Sequence, residues 1–314
     1  MSRLLPGWLI VLSALLLPGP APAFALPYTF TLLDVPGATD TLALGLNDRG
    51  QIVGDYSDIS GHGFVYAGGS FTALNALGAG QTDAFGINQA GRIVGLAIDL
   101  TGIHGFLDRN GHFRSIDVPG SSGGTEAFGI NGRGEIVGLY FTDSGRQGHG
   151  FLDRSGHFTT IDFPGAAQTQ FAGINRSGQI VGLYLATNQS LPQAFLYSGG
   201  LFQPLELPGA PSSSAAFGIN NRGQIVGDFS DAHGVSHGFL YSGGSFLTID
   251  VPGFEGRTFT RGIDQRGDIV GFVRDDAGHF EGYLGTPTPE PATLVPFGTG
   301  LVAACAAAWR RKHR

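Results

Sequence analysis

The histidines and aspartates of this 314-residue chain recur at fixed places, and they are its first candidates for chemistry. Four histidines stand directly before a Gly-Phe pair: His62, His104, His149 and His237. Imidazoles repeated in this way can bind a metal ion or transfer protons. Two further copies carry Gln193 and Glu281 at the same place, however. The pattern therefore favours one structural hydrogen bond that is repeated from copy to copy.

Two short segments, Asp55-Tyr-Ser-Asp58 and Asp228-Phe-Ser-Asp231, each carry two carboxylates three residues apart. Oxygen ligands at such close spacing suit Ca²⁺, so these four aspartates are our candidate metal ligands. Neither segment is part of an EF-hand or a related calcium loop, and solvated loop carboxylates are the alternative. Calcium is the one cofactor that the sequence suggests.

A third set of acids recurs just before an apolar-Pro-Gly turn or its equivalent: Asp34, Asp117, Asp162, Glu206 and Asp250. One acid per copy is typical of a turn cap, not of a paired-carboxylate active site. Gly120-Ser-Ser-Gly-Gly124 matches the pattern Gly-x-Ser-x-Gly, but no helix signal follows it, as a nucleophile elbow requires. The sequence contains no His-Glu-x-x-His helix and no phosphate-binding loop. It therefore gives no catalytic residue, and a non-enzymatic role is the favoured interpretation.

The elements that position these residues form a repeat. The segment Gly-Ile-Asn-x-x-Gly-x-Ile-Val-Gly recurs with a period of about 43 residues, and its Asn position falls at Asn47, Asn88, Asn131, Asn175, Asn220 and Asp264. Each copy contains four strand signals, a to d in the order d-a-b-c along the chain, bounded by turns. An aromatic residue opens strand d, and Tyr28 takes that place in the first unit.

A period of 40 to 45 residues with four strands per unit is typical of a propeller blade. The sequence therefore predicts an all-β six-bladed β-propeller over residues 26–285. The body opens with strand d and ends with strands a to c of the sixth unit, so the N-terminal strand is expected to close the last blade and remove an open edge. A β-solenoid is the alternative fold.

The repeats resemble the HAF family of extracellular repeats through Gly218-Ile-Asn-Asn-Arg-Gly-Gln-Ile-Val-Gly227 and His237-Gly-Phe-Leu240. The resemblance spans residues 28 to 285. It implies an extracellular repeat protein, and it implies no particular activity, since the family has no settled one.

The connections between strands fall into two classes. The a–b and c–d turns keep nearly the same length, whereas the d–a and b–c loops vary, and function tends to reside on variable loops of a rigid scaffold. The variable loops gather thirteen acids: Asp40, Asp55, Asp58, Asp83, Asp99, Glu126, Asp143, Asp228, Asp231, Glu255, Asp275, Asp276 and Glu281. The uniform turns gather seven arginines: Arg49, Arg109, Arg133, Arg154, Arg176, Arg222 and Arg266. We therefore predict one acidic face, the candidate for partner binding, and one mildly basic face.

The two ends of the chain predict its destination. Residues 1–25 have a basic start, an apolar stretch and a small-residue cleavage box, which is typical of a secretory signal peptide. Residues 286–291 form a proline-rich spacer, residues 292–309 an uncharged and mostly apolar segment that predicts a transmembrane helix, and residues 310–314 a basic tail. The basic tail predicts a cytoplasmic C-terminus, with the body outside.

Pro289-Glu290-Pro291, the apolar segment and the tail with Arg310 and Arg311 together resemble the PEP-CTERM sorting signal of Gram-negative bacteria. The resemblance implies processing by an exosortase-like enzyme, passage through an inner-membrane intermediate, and delivery to the outer surface or the medium, often alongside exopolysaccharide. A plain membrane anchor is the alternative.

Composition bounds the partners. Every tryptophan, methionine, lysine and cysteine lies in the end segments, so the body has no disulfide and no thiolate metal site. The body retains 13 arginines against 24 acids, a net charge of about −11, which argues against nucleic acid as a partner.

The favoured function is an exported surface or matrix binding protein whose partners are exopolysaccharide or surface proteins. The alternatives are a cell-envelope glycan hydrolase or lyase, and a spacer without a ligand. One asymmetric cluster of charged residues from several blades would favour the enzyme, and repeat-matched residues would favour the binding protein.

Overall fold

The computed structural model describes residues 28–76, 78–143, 147–187, 189–207 and 213–288. They form 24 β-strands arranged as six four-stranded antiparallel blades. Blade 1 consists of β2 (Asp40–Leu46), β3 (Ile52–Ser57), β4 (Gly61–Ala67) and β5 (Ser70–Leu74). Blade 2 consists of β6 (Gln81–Ile87), β7 (Ile93–Asp99), β8 (Gly102–Arg109) and β9 (His112–Ile116). Blade 3 consists of β10 (Thr125–Ile130), β11 (Ile136–Thr142), β12 (Gln147–Arg154) and β13 (His157–Thr160).

The second half of the ring repeats the arrangement. Blade 4 consists of β14 (Ala166–Ile174), β15 (Ile180–Ala186), β16 (Gln193–Ser198) and β17 (Leu201–Pro204). Blade 5 consists of β18 (Ser213–Ile219), β19 (Ile225–Ser230), β20 (Ser236–Ser242) and β21 (Ser245–Ile249). Blade 6 consists of β22 (Thr258–Ile263), β23 (Ile269–Arg274), β24 (Phe280–Pro287) and the N-terminal β1 (Tyr28–Leu33).

The N-terminal strand closes the ring, as its sequence position predicts. Strand β1 pairs antiparallel with β24 from Tyr28↔Pro287 to Leu33↔Gly282. Six hydrophobic clusters, one at each junction between neighbouring blades, complete the circle, and Val270 of blade 6 packs with Phe64 of blade 1. Closure leaves every blade packed on both faces.

The core of each blade is one aromatic pair. The aromatic residue of strand c is fully buried in all six blades: Phe64, Phe106, Phe151, Phe195, Phe239 and Tyr283. An aromatic residue of strand d packs against it, as in Phe64 and Phe71, with ring centroids 5.3 Å apart in an edge-to-face arrangement. In blade 6 this partner is Phe30, at 5.7 Å from Tyr283. The expected residue, Tyr28, instead donates a hydrogen bond from its hydroxyl to the Gly267 carbonyl, 3.1 Å away.

The glycine of the Ile-Val-Gly segment is required by a close approach between strands a and b. A β-carbon at Gly54 would lie 1.9 Å from the Leu42 carbonyl oxygen and 2.9 Å from the Phe64 ring. Strand a carries a β-bulge beside this contact, between Ala43 and Gly45. The glycine therefore makes room for the bulged strand and for the buried ring.

A ring of asparagines at the a–b turns ties the blades together. In five junctions the asparagine Nδ2 donates to the carbonyl of the next asparagine position, as from Asn131 to Asn175 at 3.1 Å. Its Oδ1 accepts backbone N–H groups of its own turn, from Arg133 and Glu135. The asparagine of the repeat thus fixes both the hairpin turn and the spacing between blades.

Candidate functional site

The central channel has two different mouths. Strand a of each blade lines it and runs from the d–a loops to the a–b turns. We call the end beside the d–a and b–c loops the variable-loop mouth and the end beside the a–b turns the uniform-turn mouth. A cavity of about 100 Å³ lies towards the variable-loop mouth and one of about 90 Å³ lies at the uniform-turn mouth.

The uniform-turn mouth follows the repeat closely. Its cavity is lined by one Leu or Ile per blade, Leu46, Ile87, Ile130, Ile174, Ile219 and Ile263, and by residues of the a–b turns. The side-chain amides of the repeated asparagines donate hydrogen bonds to the next blade, as described above, so these amides hold neighbouring blades together. This mouth therefore has near-sixfold symmetry and a structural use for its polar groups.

The cavity towards the variable-loop mouth is lined by the residue that precedes Gly-Ile or Gly-Leu in each copy: Leu44, Phe85, Phe128, Ala172, Phe217 and Arg261. Three are phenylalanines, and the rings of Phe85 and Phe128 lie 4.7 Å apart. Blade 4 contributes only the methyl group of Ala172. The side chains that line this end thus break the sixfold symmetry.

Arg261 is the one charged residue of that lining. Its guanidinium lies over the Phe217 ring at 3.9 Å and over the Phe272 ring at 4.9 Å. Its Nη1 donates to the Asp228 carboxylate at 2.8 Å. Burial raises the pKa of Asp228, and Arg261 acts in the opposite direction. The two rings and the carboxylate hold the guanidinium in one orientation at the cavity.

Three acids from three successive blades lie near one another, closer to the variable loops than the residues that line this cavity. Asp83 and Glu126 precede the lining phenylalanines of blades 2 and 3 by two residues, and Asp55 lies opposite Leu42 in blade 1. Burial, then the charges of Asp83 and Asp40, raises the pKa of Asp55 to about 8. Burial and Asp83 raise the pKa of Glu126 to about 7. These carboxyl groups can therefore hold protons near neutral pH, and they can donate as well as accept hydrogen bonds.

The four repeated histidines make the same hydrogen bond in each of the four blades that carry them, as the sequence predicts. Nδ1 pairs with the side chain 13 residues later: Asn75 for His62, Asp117 for His104, Asp162 for His149 and Asp250 for His237, at 2.8 to 3.0 Å. Three of the five acids that precede the apolar-Pro-Gly turns, Asp117, Asp162 and Asp250, are thus partners of histidines. The sequence predicted these acids only as turn caps.

The two members of each candidate calcium pair have different neighbours. Asp55 and Asp228 lie at the channel, whereas Asp58 and Asp231 accept backbone N–H groups of their b–c loops. These bonds, chiefly from Ser60 and Val235 respectively, lower the pKa of the Asp58 and Asp231 carboxyls. Within the described ranges, no group of three or more His, Cys, Asp or Glu side chains is arranged to hold a metal ion. Calcium binding stays a prediction.

A further cavity, of about 470 Å³, is a cleft between the b–c turn of blade 2 and the d–a loop of blade 3. Its polar side chains are already paired: His104 bonds Asp117 and Thr101, and Ser121 bonds the backbone of its own loop. The cleft opens on the variable loops, like the acidic mouth of the channel.

The sorting residues Pro289, Glu290, Pro291, Arg310 and Arg311 lie outside the described residues, as does the segment 292–309. No helix in the described part of the chain is long and apolar enough to cross a membrane. The signal peptide, the sorting signal and the HAF resemblance therefore stay predictions.

No model of a known protein family matches the chain, and no curated protein matches it. Solved structures do match its fold. A mutant lectin of Aleuria aurantia in complex with Fucα1-6GlcNAc aligns at a TM-score of 0.53 and 13% identity, over 81% of this chain and 98% of the lectin. A mercury derivative of the fucose-specific lectin of that fungus aligns at 0.52 and 15% identity, over 82% and 100%. A third structure of the lectin, described as a six-bladed β-propeller, aligns at 0.50 and 14% identity, over 81% and 98%. At these identities the likeness shows the fold alone.

Proposed function

We propose that the protein is an exported binding protein that takes a saccharide at the variable-loop mouth of its channel. One observation carries the proposal: the cavity towards this mouth gathers three phenylalanines and one arginine at a repeat position that needs no particular residue for the ring. At the opposite mouth the Leu or Ile recurs in every blade and the asparagine in five, and those asparagines link the blades. Side chains that vary without a part in holding the ring together, and that line one cavity, point to a ligand.

The chemistry of the mouth suits a polyhydroxylated ligand. The rings of Phe85, Phe128 and Phe217 offer an apolar floor for the C–H face of a sugar. Arg261 and the protonated carboxyls of Asp55 and Glu126 can donate to hydroxyl oxygens, and Asp83 can accept. The fungal lectins of similar fold are described as binding fucosyl sugars, which is compatible with saccharide binding on a propeller.

Titration of envelope and exopolysaccharide oligosaccharides into the full-length protein by calorimetry tests the proposal. Arg261→Gln should weaken binding about tenfold or more, because it removes the oriented donor. The matched control is Arg222→Gln, an exposed arginine on the uniform-turn side, which should leave affinity unchanged. Equal loss in both variants, or no binding of any saccharide, would overturn the proposal.

A second function, glycan hydrolysis or elimination, is favoured by the asymmetric cluster of Asp55, Asp83, Glu126 and Arg261, which is the arrangement expected of an enzyme. Binding comes first in the proposal because either function requires the saccharide to bind, whereas only hydrolysis or elimination also requires the acids to react. Asp55 and Glu126 hold protons to higher pH than ordinary carboxyls, as a general acid must. Incubation of each bound saccharide with wild type and with Glu126→Gln, followed by product analysis, separates the two functions. Turnover that is lost in the variant, while binding remains, would make the protein an enzyme.

We further propose that the chain reaches the cell exterior through its two ends, by signal-peptide cleavage and then exosortase-type processing at Pro289-Glu290-Pro291. Both tryptophans lie in the segments to be removed, so the mature product should lack tryptophan fluorescence and Trp309. Mass spectrometry of the product in cells with sorting machinery tests this. An intact C-terminus in the inner membrane would instead indicate a plain anchor.

A further inference from the structure

Both ends of the propeller leave from one face. Strand β1 begins at Tyr28 and β24 ends at Pro287, and these residues are register partners. The Tyr28 hydroxyl bonds Gly267 in the a–b turn of blade 6. The chain therefore enters and leaves the body beside the a–b and c–d turns, and we call this side the uniform-turn face.

On the uniform-turn face the positive charges are exposed and the negative charges of the a–b turns are not. All seven of its arginines named above are exposed, from Arg49 on blade 1 to Arg266 on blade 6. The four acids of the a–b turns, Asp48, Glu135, Asp264 and Asp268, are buried or half-buried. Glu135 pairs with Arg154, and Asp264 and Asp268 pair with Arg266. Within the described residues, Arg49, Arg176 and Arg222 belong to no ion pair. The uniform-turn face therefore offers cationic groups to a partner.

The opposite face has the reverse balance. Exposed acids lie on its loops, among them Asp58, Asp99, Asp143, Glu255 and Asp276. The two ends of the channel axis therefore carry opposite charge, basic at the uniform-turn face and acidic at the variable loops, although the net charge of the molecule is negative.

The short connection between the propeller and the apolar segment 292–309 keeps a membrane that holds this segment close to the uniform-turn face. Only four residues, 288–291, separate Pro287 from the apolar segment that starts at Ala292. Fully extended, five peptide steps span at most about 18 Å. While segment 292–309 spans a bilayer, the bilayer surface must stay within roughly that distance of the uniform-turn face.

We propose that the uniform-turn face docks on the anionic phospholipid surface of the membrane in which segment 292–309 is held, so that the acidic variable-loop mouth faces away. The inference rests on the proposed export route, in which segment 292–309 holds the chain in the inner membrane before processing; we call this the membrane stage. An anionic membrane surface attracts arginines that come within a Debye length of it, about 8 Å at physiological salt. The tether supplies the high local concentration that such a weak contact needs.

The test measures energy transfer between the full-length chain in nanodiscs and acceptor-labelled lipids. Donor dyes are placed at two exposed turn alanines in a Cys305→Ala background: Ala90→Cys on the uniform-turn face and Ala232→Cys on a b–c loop. In discs rich in phosphatidylglycerol, transfer from position 90 should exceed that from position 232 by about twofold or more.

Two controls separate charge from tether. Arg49, Arg176 and Arg222 changed together to Gln, or 0.5 M salt, should reduce the difference, because screening and charge removal both weaken the contact. Arg114→Gln with Arg274→Gln, two exposed arginines outside the uniform turns, should not. Phosphatidylcholine discs should resemble the triple variant.

The outcomes distinguish two failures. A chain that inserts but shows equal transfer from both positions, or a difference indifferent to lipid charge, overturns the docking and leaves the anchor. A chain that does not insert at all overturns the membrane stage itself, and the docking with it.

Discussion

The two mouths of the channel are built by the same six strands, yet they behave differently. At the uniform-turn mouth each blade presents the same Gly-Ile-Asn sequence with small changes, and the asparagine amides link one blade to the next. At the variable-loop mouth the residue before that glycine ranges from Ala172 to Phe128 to Arg261. Repetition at one end stabilises the ring, and variation at the other gives the ring a place where one ligand can be recognised.

Mutations at the uniform-turn mouth should lower the stability of the fold more than mutations at the variable-loop mouth. Asn131→Ala removes two Nδ2 donations and leaves the Arg133 and Glu135 amides without their acceptor. We expect a loss of about 3 kcal/mol in the free energy of unfolding, measured by denaturant titration. Phe128→Ala, three residues earlier at the other mouth, should cost less stability than Asn131→Ala. A larger loss for Phe128→Ala would contradict the division of roles.

The acids of the variable-loop mouth should make stability depend on pH. Asp55 keeps its proton up to about pH 8 when folded, whereas its ordinary pKa is 3.8. The folded state therefore binds more protons between these values, and stability falls as pH rises from about 4 towards 8. Asp55→Asn should flatten this fall and stabilise the protein at pH 9, by on the order of 2 kcal/mol. Thermal melting from pH 5 to 9 measures it, and an unchanged slope would rule out the burial of this charge.

The smallest expected change in stability is at the junction between blades 6 and 1. Asp264 stands where five blades have asparagine, so it has no amide to donate towards Asn47, and burial raises the pKa of its carboxyl. Asp264→Asn should restore the missing donor while Arg266 keeps its pairing with Asp268. We expect a gain of about 1 kcal/mol, seen as a higher melting temperature at pH 7. A loss would show that the Asp264–Arg266 pair holds the junction in a way that an amide cannot.

Much of the fold follows from the sequence because each blade repeats it. The period, the four strand signals and the leading strand d predict six blades and their closure. Tyr28 opens β1, as the sequence predicts, but the ring that packs on the strand c aromatic lies two residues later in this first unit. Phe30 is the residue that packs on Tyr283.

The site was only partly predictable. Asp55, Asp83 and Glu126 belong to the predicted acidic loops, but their convergence at the channel depends on how the blades are arranged around the ring. Arg261 was missed, although the copies carry its signal: it alone is charged among the residues before Gly-Ile. Its orientation between Phe217 and Phe272 could not be predicted, because it depends on contacts between blades 5 and 6.

The central claim is that a saccharide binds at the variable-loop mouth. NMR of the protein labelled with ¹³C only at phenylalanine rings tests it most directly, since rings occupy both the mouth and the blade cores. We predict that a bound saccharide shifts the signals of Phe85, Phe128 and Phe217, assigned by single Phe→Leu variants, and leaves core rings such as Phe151 in place. Shifts confined to rings away from the channel, with these three unchanged, would contradict the account.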